Sequence, residues 1–255
     1  MEILLCIDDT DDLEKGKGTG SLAQTILTTI EENRWGQCER ITRHQLLLHE
    51  DIPYTSHNSS MCFAAEIEDE HYKNVIDYSM GFLKREHAEG SDPGLCVVKI
   101  NELKDKQSLI EFGKKAQKEV LTKERAYGLA RSLDIHLTEH GGTGLGIIGA
   151  LAGTGLRLSG NDGEFKGGLK FVQKGEVWKA GELYKHDEID VIMSLDGKIL
   201  KEDEKIVFGL KSKTIFRGGK SLLLVVPKEI NEWNKLYKCC NKQQLRNLGD
   251  EINVQ

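Results

Sequence analysis

Four aspartates stand close together near the start of the chain, directly after an apolar segment. Positions 3–7 are all apolar, and the next five positions contain Asp8, Asp9, Asp11 and Asp12. Like charges at this spacing repel one another unless protons or a cation neutralise them. Carboxylate oxygens suit a hard divalent cation, most often magnesium that carries a phosphorylated substrate. The pattern therefore indicates a magnesium site at Asp8, Asp9 and Asp11, and an acidic surface turn is the simpler alternative.

The apolar segment predicts the strand that positions these carboxylates. An unbroken apolar run is typical of a strand that is covered on both faces, as in a parallel sheet. In open α/β sheets, ligands bind beyond the carboxyl ends of such strands. We therefore expect an α/β (α+β) fold in which the site lies where the first strand ends.

A turn of glycine and threonine follows the carboxylates and leads into a helix. Apolar residues with helical spacing begin at Leu22, and Thr19 or Ser21 is the expected N-cap. The helix start would then face the carboxylates, an arrangement that favours phosphate bridged by a metal. Gly18 and Thr19 are therefore candidate site residues, although a threonine that only caps its helix is the ordinary alternative.

A second glycine-rich turn precedes an apolar helix near position 146. Gly144, Gly146 and Gly149 satisfy the G-x-G-x-x-G pattern, but the preceding segment 135–137 is a poor strand for a dinucleotide fold. A glycine-rich turn that opens a helix can cradle phosphate. Glycines that let a helix pack closely on a sheet are the alternative. The candidate nucleotide-binding residues here are Gly141, Gly142, Thr143, Gly144 and Gly146.

Composition limits the class of protein. The chain has 255 residues, of which 38% are hydrophobic and 30% charged, as in a globular protein with a real core. No apolar run is as long as a membrane span, and no signal peptide is recognisable, so we expect a cytoplasmic protein without a membrane partner. The net charge of −6 counts against a protein that coats nucleic acid non-specifically. The six cysteines include no C-x-x-C pair, so no zinc site is expected.

The rest of the chain is predicted to differ in structure before and after Gly160. Strands are predicted at 61–67 and 95–100 and helices at 71–85, 106–120 and 122–133, with a turn at Ser91-Asp92-Pro93-Gly94. This order is compatible with a ferredoxin-like unit. After Gly160 the sequence predicts short strands, including a hairpin of 169–172 with 176–179, and a helix from Glu229 onward.

The sequence resembles the archaeal tRNA-isoleucine agmatinylcytidine (agmatidine) synthetase family in three blocks that stand in the same order. The first is residues 7–11 with the turn that ends at Thr19, the second is 52–58, and the third runs from Pro93 to Ala152 and includes Gly-Ile-Ile-Gly-Ala-Leu-Ala at 146–152. The likeness covers about residues 1–212. That family uses ATP to activate a wobble cytidine and joins agmatine to it.

The resemblance implies a kinase-like α/β domain, residues 1–59 and 138–212, with an inserted ferredoxin-like domain at 60–137. Residues 213–255 would add C-terminal strands and a tail helix. The three carboxylates match the family's motif for Mg²⁺ and ATP phosphates. Thr19 falls on the threonine that is phosphorylated in the family, but its neighbours differ. Possible substrate contacts are Pro53, Thr55, His57 and Asn58. The OB-fold and zinc ribbon that grip tRNA in the family are not expected here.

The leading hypothesis is a Mg²⁺-dependent, ATP-using enzyme of the agmatidine-synthetase type. It would activate a cytidine-like or other nucleotide acceptor by phosphoryl transfer, with RNA or tRNA presented through a partner protein. One alternative is a non-catalytic nucleotide- or nucleic-acid-binding protein. A second is a haloacid-dehalogenase-like phosphatase, in which Asp9-Thr10-Asp11 would supply the D-x-D motif.

Overall fold

The chain folds into two compact units. The computed structural model describes residues 1–11, 18–52, 58–230 and 235–246. The first unit is Met1–Ser159 and the second is Gly160–Gln255. Both combine strands with helices, which confirms the expected mixed α/β class. None of the described helices has the length and apolar character needed to cross a membrane. The division into kinase-like and inserted ferredoxin-like domains stays a prediction.

The first unit is built on an antiparallel sheet. Its strands are β1 (Glu2–Asp8), β2 (Gly36–Cys38), β3 (Thr42–Gln45), β4 (Ser59–Ile67), β5 (Gly94–Lys99) and β6 (His136–Glu139). The order is β6-β5-β1-β4-β3, and β2 also pairs with β4. Because β1 runs antiparallel to both β4 and β5, the parallel sheet expected from the apolar run is wrong.

Helices cover both faces of this sheet. They are α1 (Thr19–Glu32), α2 (Tyr72–Glu86), α3 (Lys106–Ala116), α4 (Lys123–Leu133) and α5 (Gly146–Leu158), and a single 3₁₀ turn at Asp69–His71 precedes α2. Helices α1 and α2 share a core with one face of the sheet, and α3, α4 and α5 share a core with the other. The predicted helices are confirmed to within a few residues at their ends.

Strand β1 is central because its side chains alternate between the two cores. Ile3, Leu5 and Ile7 pack with α1 and α2, whereas Leu4 and Cys6 pack with α5 and its neighbours. All five are buried. Fully burying an aliphatic side chain contributes about 1.5–3 kcal/mol, so the strand is firmly held. Its last residue, Asp8, is therefore fixed in place.

Glycines let helix α5 lie unusually close to its neighbours. A Cβ at Gly153 would stand 2.1 Å from Ser60 Oγ in β4, and one at Gly155 would stand 2.1 Å from the Leu109 carbonyl oxygen in α3. Real side chains do not tolerate such distances. Glycine at positions 153 and 155 thus permits this close packing.

The second unit is rich in short strands. They are β7 (Glu164–Phe165), β8 (Val177–Lys179), β9 (Val191–Ser194), β10 (Lys205–Val207), β11 (Ile215–Arg217), β12 (Lys220–Ile230) and β13 (Lys235–Cys239), with short helices α6 (Ala180–Leu183) and α7 (Lys242–Arg246). Within this unit the order is β7-β11-β12-β13-β10-β8. Strand β9 lies parallel to β12.

Two predictions for this unit are wrong. The hairpin of 169–172 with 176–179 does not form, because β8 pairs with β10 instead. The helix expected from Glu229 is replaced by the end of β12 and by β13, which pair antiparallel, and only the short α7 is helical among the described residues there. Tyr237 of β13 is 4% exposed in the unit's core, which favours a strand despite the polar surroundings.

Candidate functional site

A cavity of about 330 Å³ lies in the first unit where β1 ends. Its walls come from the end of β1, the starts of α1 and α5, the start of β4 and the segment after α3. This size suits a small-molecule ligand. The cavity brings together seven of the residues predicted from the sequence: Asp8, Asp9, Asp11, Gly18, Thr19, Asn58 and Gly146.

Asp8 is a buried carboxylate beneath the start of α5. It is 7% exposed, and a Cβ at Gly149 would stand 1.6 Å from its Oδ2 atom. Burial raises the pKa of Asp8 well above its usual value, and the charge of Asp9 raises it further. A cation at this position would relieve both costs.

Asp9 forms the turn that follows the strand. Its φ of +52° lies in the left-handed region, which is uncommon for a residue with a side chain but tolerated by aspartate. Burial raises the pKa of Asp9 to about 6, and the charges of Asp92 and Asp11 add to the effect. A hydrogen bond from the backbone N–H of Asp92 acts in the opposite direction.

Helix α1 presents its N-terminus to the cavity. The N-cap is Gly18, not Thr19 or Ser21 as expected, and among the described residues it makes no side-chain cap hydrogen bond. The Gly18 carbonyl accepts the first helical hydrogen bonds, from the N–H groups of Ser21 and Leu22. The N–H groups of Thr19 and Gly20 precede those bonds, at the position where helices bind anions.

Thr19 has a side-chain partner in the acidic loop. Its hydroxyl donates to Asp11 Oδ1 over 3.4 Å, and the residue is 6% exposed. The capping role considered from the sequence is therefore wrong. The hydroxyl instead joins the start of α1 to the third carboxylate of the motif.

The second glycine-rich turn contributes less to the cavity than the sequence predicts. Leu145, Gly146 and Gly149 line it, but Gly141, Gly142, Thr143 and Gly144 are not among the described residues that do. The amide and hydroxyl of Thr143 both donate to the carboxylate of Asp92. A phosphate role for these four residues stays a prediction.

Several cavity residues were missed from the sequence. One wall is apolar and includes Leu46, Val120, Leu121 and Ile148. Arg43 also lines the cavity, where its guanidinium donates to Ser59 Oγ over 3.1 Å and to Gln45 Oε1 over 2.7 Å. Two more carboxylates, Asp51 and Glu119, complete the polar lining. Nothing in the local sequence marks these residues, because they converge only through the fold.

Of the four possible substrate contacts predicted from the sequence, Asn58 is the one that lies within the described residues. Its Nδ2 atom donates to the Leu47 carbonyl over 2.7 Å, so the side chain ties the residue before β4 to the segment after β3. Pro53, Thr55 and His57 lie outside the described residues.

The carboxylates fit a magnesium ion that carries phosphate. Within the described residues, no three His, Cys, Asp or Glu side chains are arranged to hold a metal ion by themselves. Magnesium usually takes only one or two protein carboxylates, and waters and substrate phosphates supply its other ligands. Asp8 and Asp9 match that donor set, since burial and the charges of neighbouring aspartates raise the pKa values of both.

Solved structures resemble the chain. Apo TiaS, a tRNA agmatidine synthetase, covers 97% of this chain and 73% of its own, with a TM-score of 0.52 and 18% identity. The fold is that of TiaS. The complex of TiaS with tRNA and ATP matches with a TM-score of 0.52 and 26% identity, and a tRNA fluorescent labeling enzyme with 0.53 and 24%. The resemblance inferred from the sequence is therefore confirmed.

The match to these structures is partial in length. The alignment covers 61% of this chain and 36% of TiaS in the tRNA–ATP complex, and 72% and 43% for the labeling enzyme. No protein-family model matches the sequence, and a search of curated proteins gave no match. Structural similarity to TiaS is thus the comparison that bears on function.

Proposed function

We propose that this chain is an ATP-using enzyme of the TiaS type that acts on tRNA or a related nucleotide acceptor. The observation that carries the proposal is the cavity itself. It joins the three carboxylates of the acidic loop to the starts of α1 and α5, in a chain with the fold of an enzyme solved in complex with tRNA and ATP. Cytoplasmic location stays a prediction.

The ATP phosphates would lie at the start of α1. The N–H groups of Thr19 and Gly20 precede the first helical hydrogen bonds, and Gly18, Thr19 and Gly20 all line the cavity. The aligned peptide dipoles place about half a positive charge at a helix N-terminus. A glycine N-cap adds no side chain that would compete with phosphate for these amides.

Asp8 and Asp9 would hold Mg²⁺ on those phosphates. When bound there, Mg²⁺ would supply charge neutralisation and orientation of the transferred phosphoryl group. The protein's own contribution is to hold one buried and one half-buried carboxylate, whose ionised forms are costly without a cation. Arg43 on the cavity wall would bring a positive charge towards a phosphate or a developing negative charge.

The nucleoside part of ATP would lie against the apolar wall. Leu46 and Leu121 are buried and Val120 is 42% exposed beside them, so a base placed there would cover apolar surface. Covering such surface contributes about 25 cal/mol for each Å² removed from water. Asp51 and Glu119 also line the cavity, and they would be available to a polar acceptor.

ATP turnover tests the proposal. Purified protein is incubated with ATP and Mg²⁺, alone and with tRNA, cytidine nucleotides and cationic amines, and the products are identified by mass spectrometry. We expect ATP cleavage that requires Mg²⁺ and that falls at least about a hundredfold in Asp8→Asn, since the metal's buried ligand is lost. The matched control, Asp203→Asn, changes an exposed carboxylate of the second unit and should retain wild-type turnover.

The outcomes separate the three hypotheses. ATP binding without cleavage under all conditions would favour the non-catalytic alternative. A covalent aspartyl-phosphate on Asp9, trapped as a fluoride complex, would favour the phosphatase alternative. Equal turnover in wild type and Asp8→Asn would contradict the proposal.

A further inference from the structure

Asp92 is a buried carboxylate that the proposed chemistry does not use. It lies in the turn between α2 and β5 and is 8% exposed. Its Oδ1 atom accepts the N–H of Thr143 and its Oδ2 atom accepts the Thr143 hydroxyl. The two residues are 51 positions apart, so the contact ties two distant loops together.

Gly142, the residue before Thr143, leaves room for the contact between Asp92 and Thr143. Its φ is +54°, and a Cβ there would stand 1.7 Å from Asp92 Oδ1. Both the backbone conformation and the space therefore require glycine. The turn is built to receive the Asp92 carboxylate.

The backbone of Asp92 reaches the site on two sides. Its carbonyl accepts the N–H of Gly146, the first residue of α5, over 3.1 Å. Its own N–H acts on the carboxylate of Asp9, whose pKa it lowers against the larger effect of burial. A Cβ at Gly146 would stand 3.1 Å from that of Asp9, so the start of α5 and the acidic turn lie in direct contact at this point.

A second contact holds the turn from the other side. Lys123 Nζ donates to the Thr143 carbonyl over 2.7 Å and also pairs with Glu139 Oε2. The amide, hydroxyl and carbonyl of Thr143 are thus all bonded to protein groups. A phosphate at this residue would have to displace a carboxylate that is already in place.

We propose that Asp92 is a positioning residue that joins the acidic turn at Asp9 to the start of α5, with the Gly142–Thr143 turn as its anchor and not as a phosphate cradle. The inference rests on the proposed function, because it states how the nucleotide site of that function is kept in register. Asp92 is not among the described residues that line the cavity, so it acts through Asp9 and Gly146 and not by touching ATP.

Loss of the Asp92 carboxylate would leave the Gly142–Thr143 turn without its anchor. Thr143 would lose two hydrogen bonds to a charged group, and the carbonyl and N–H of Asp92 would lose their fixed position. Gly146 and Gly149 would then no longer be held against Asp9 and Asp8. The expected result is a weaker nucleotide site in a protein that still folds.

Asp92→Ala and Asp92→Asn form the decisive pair. Asparagine can accept the Thr143 N–H through its oxygen and donate to the Thr143 hydroxyl through its amide, so it restores both bonds without the charge. We expect Asp92→Ala to raise the KM for ATP about tenfold, whereas Asp92→Asn should stay within about threefold of wild type. The kcat should change less than the KM in both variants.

Asp105→Ala is the matched control. Asp105 holds the N–H and hydroxyl of Ser108 in the same way, at the start of α3, and it is not among the described cavity residues. Its loss should lower stability without changing the KM for ATP. Three results would each overturn the proposal. They are a KM for ATP raised about tenfold in Asp105→Ala, an unchanged KM in Asp92→Ala, and a KM in Asp92→Asn as high as in Asp92→Ala.

Hydrogen exchange separates this inference from the proposed function. In the protein without ligand, peptides that contain residues 143–149 should exchange faster in Asp92→Ala than in wild type or Asp92→Asn. Unchanged exchange there overturns the positioning role even if ATP is turned over. Faster exchange in a protein that neither binds nor cleaves ATP would retain the structural link and reject the proposed function.

Discussion

Two glycine-rich turns precede helices in the first unit, and they differ in the hydrogen bonding of their backbone N–H groups. At the start of α1, Gly18 is an N-cap without a side-chain cap among the described residues, and Thr19 and Gly20 line the cavity. Before α5, the N–H and hydroxyl of Thr143 are bonded to Asp92. We propose that the amides of the first turn bind a ligand, whereas at the second turn the amide of Thr143 is bonded to a carboxylate of the protein.

On the proposed function, a glycine-rich turn binds an anion only when its backbone N–H groups are not already bonded to another part of the protein. Local sequence determines the shape of such a turn, because glycine permits the backbone conformation. Whether an amide is available depends on residues far away along the chain. At the second turn that residue is Asp92, which the local sequence marks only as part of a turn.

The largest expected effect concerns the second turn. Gly142→Ala introduces a Cβ at positive φ and against Asp92, so it should lower the free energy of unfolding by about 3 kcal/mol. Gly90→Ala is the control, since it has positive φ but no described atom within 4 Å, and should cost about 1 kcal/mol. Urea denaturation measures both. Equal costs would show that the Asp92 contact contributes nothing.

A smaller effect is expected from pH at the acidic turn. The pKa of Asp9 is raised from 3.8 to about 6 in the folded protein, so between those values the folded state binds more protons than the unfolded chain. The free energy of unfolding therefore falls as pH rises through this window. Asp9→Asn removes the group and should be about 2 kcal/mol more stable than wild type near pH 7, after allowance for its partial exposure.

The same comparison near pH 4 is the control for Asp9. Both proteins should then be about equally stable, because Asp9 is protonated in the folded wild type. Thermal unfolding at a series of pH values follows the difference. A gain in Asp9→Asn that does not change with pH would reject burial of the charge as its cause.

The smallest stability effect concerns the first turn. Gly18→Ser supplies a hydroxyl that can cap the first amides of α1, and serine exceeds glycine at an N-cap by only about 0.3 kcal/mol. The same hydroxyl should compete with phosphate and weaken ATP binding several-fold, as measured by calorimetry. Unchanged affinity in a stabilised variant would place the phosphates elsewhere.

Much of the first unit follows from its sequence. Apolar spacing marks the helices α1–α5, and the change from apolar residues to aspartates marks the end of β1. The direction of the strands beside β1 does not follow. A strand such as Ile3–Ile7 that is buried between two helical layers has the same apolar pattern in a parallel and in an antiparallel sheet.

The candidate site could be predicted only in part for a related reason. Asp8, Asp9, Asp11 and Thr19 are close in sequence, and the first turn brings them to one cavity. The apolar wall forms only because β3, α3 and α5 pack together, and none of its residues has an unusual local pattern. The sequence predicts a helix where strand β13 forms, because the lysines around Tyr237 hide the alternation of the strand.

Hydrogen exchange in the presence of ATP and Mg²⁺ tests the comparison of the two turns most directly. Phosphate bound at the start of α1 should slow exchange in peptides that cover residues 18–22. Peptides that cover residues 141–144 should exchange as they do without ligand, since Asp92 already occupies that turn. Protection of 141–144 without protection of 18–22 would contradict the account.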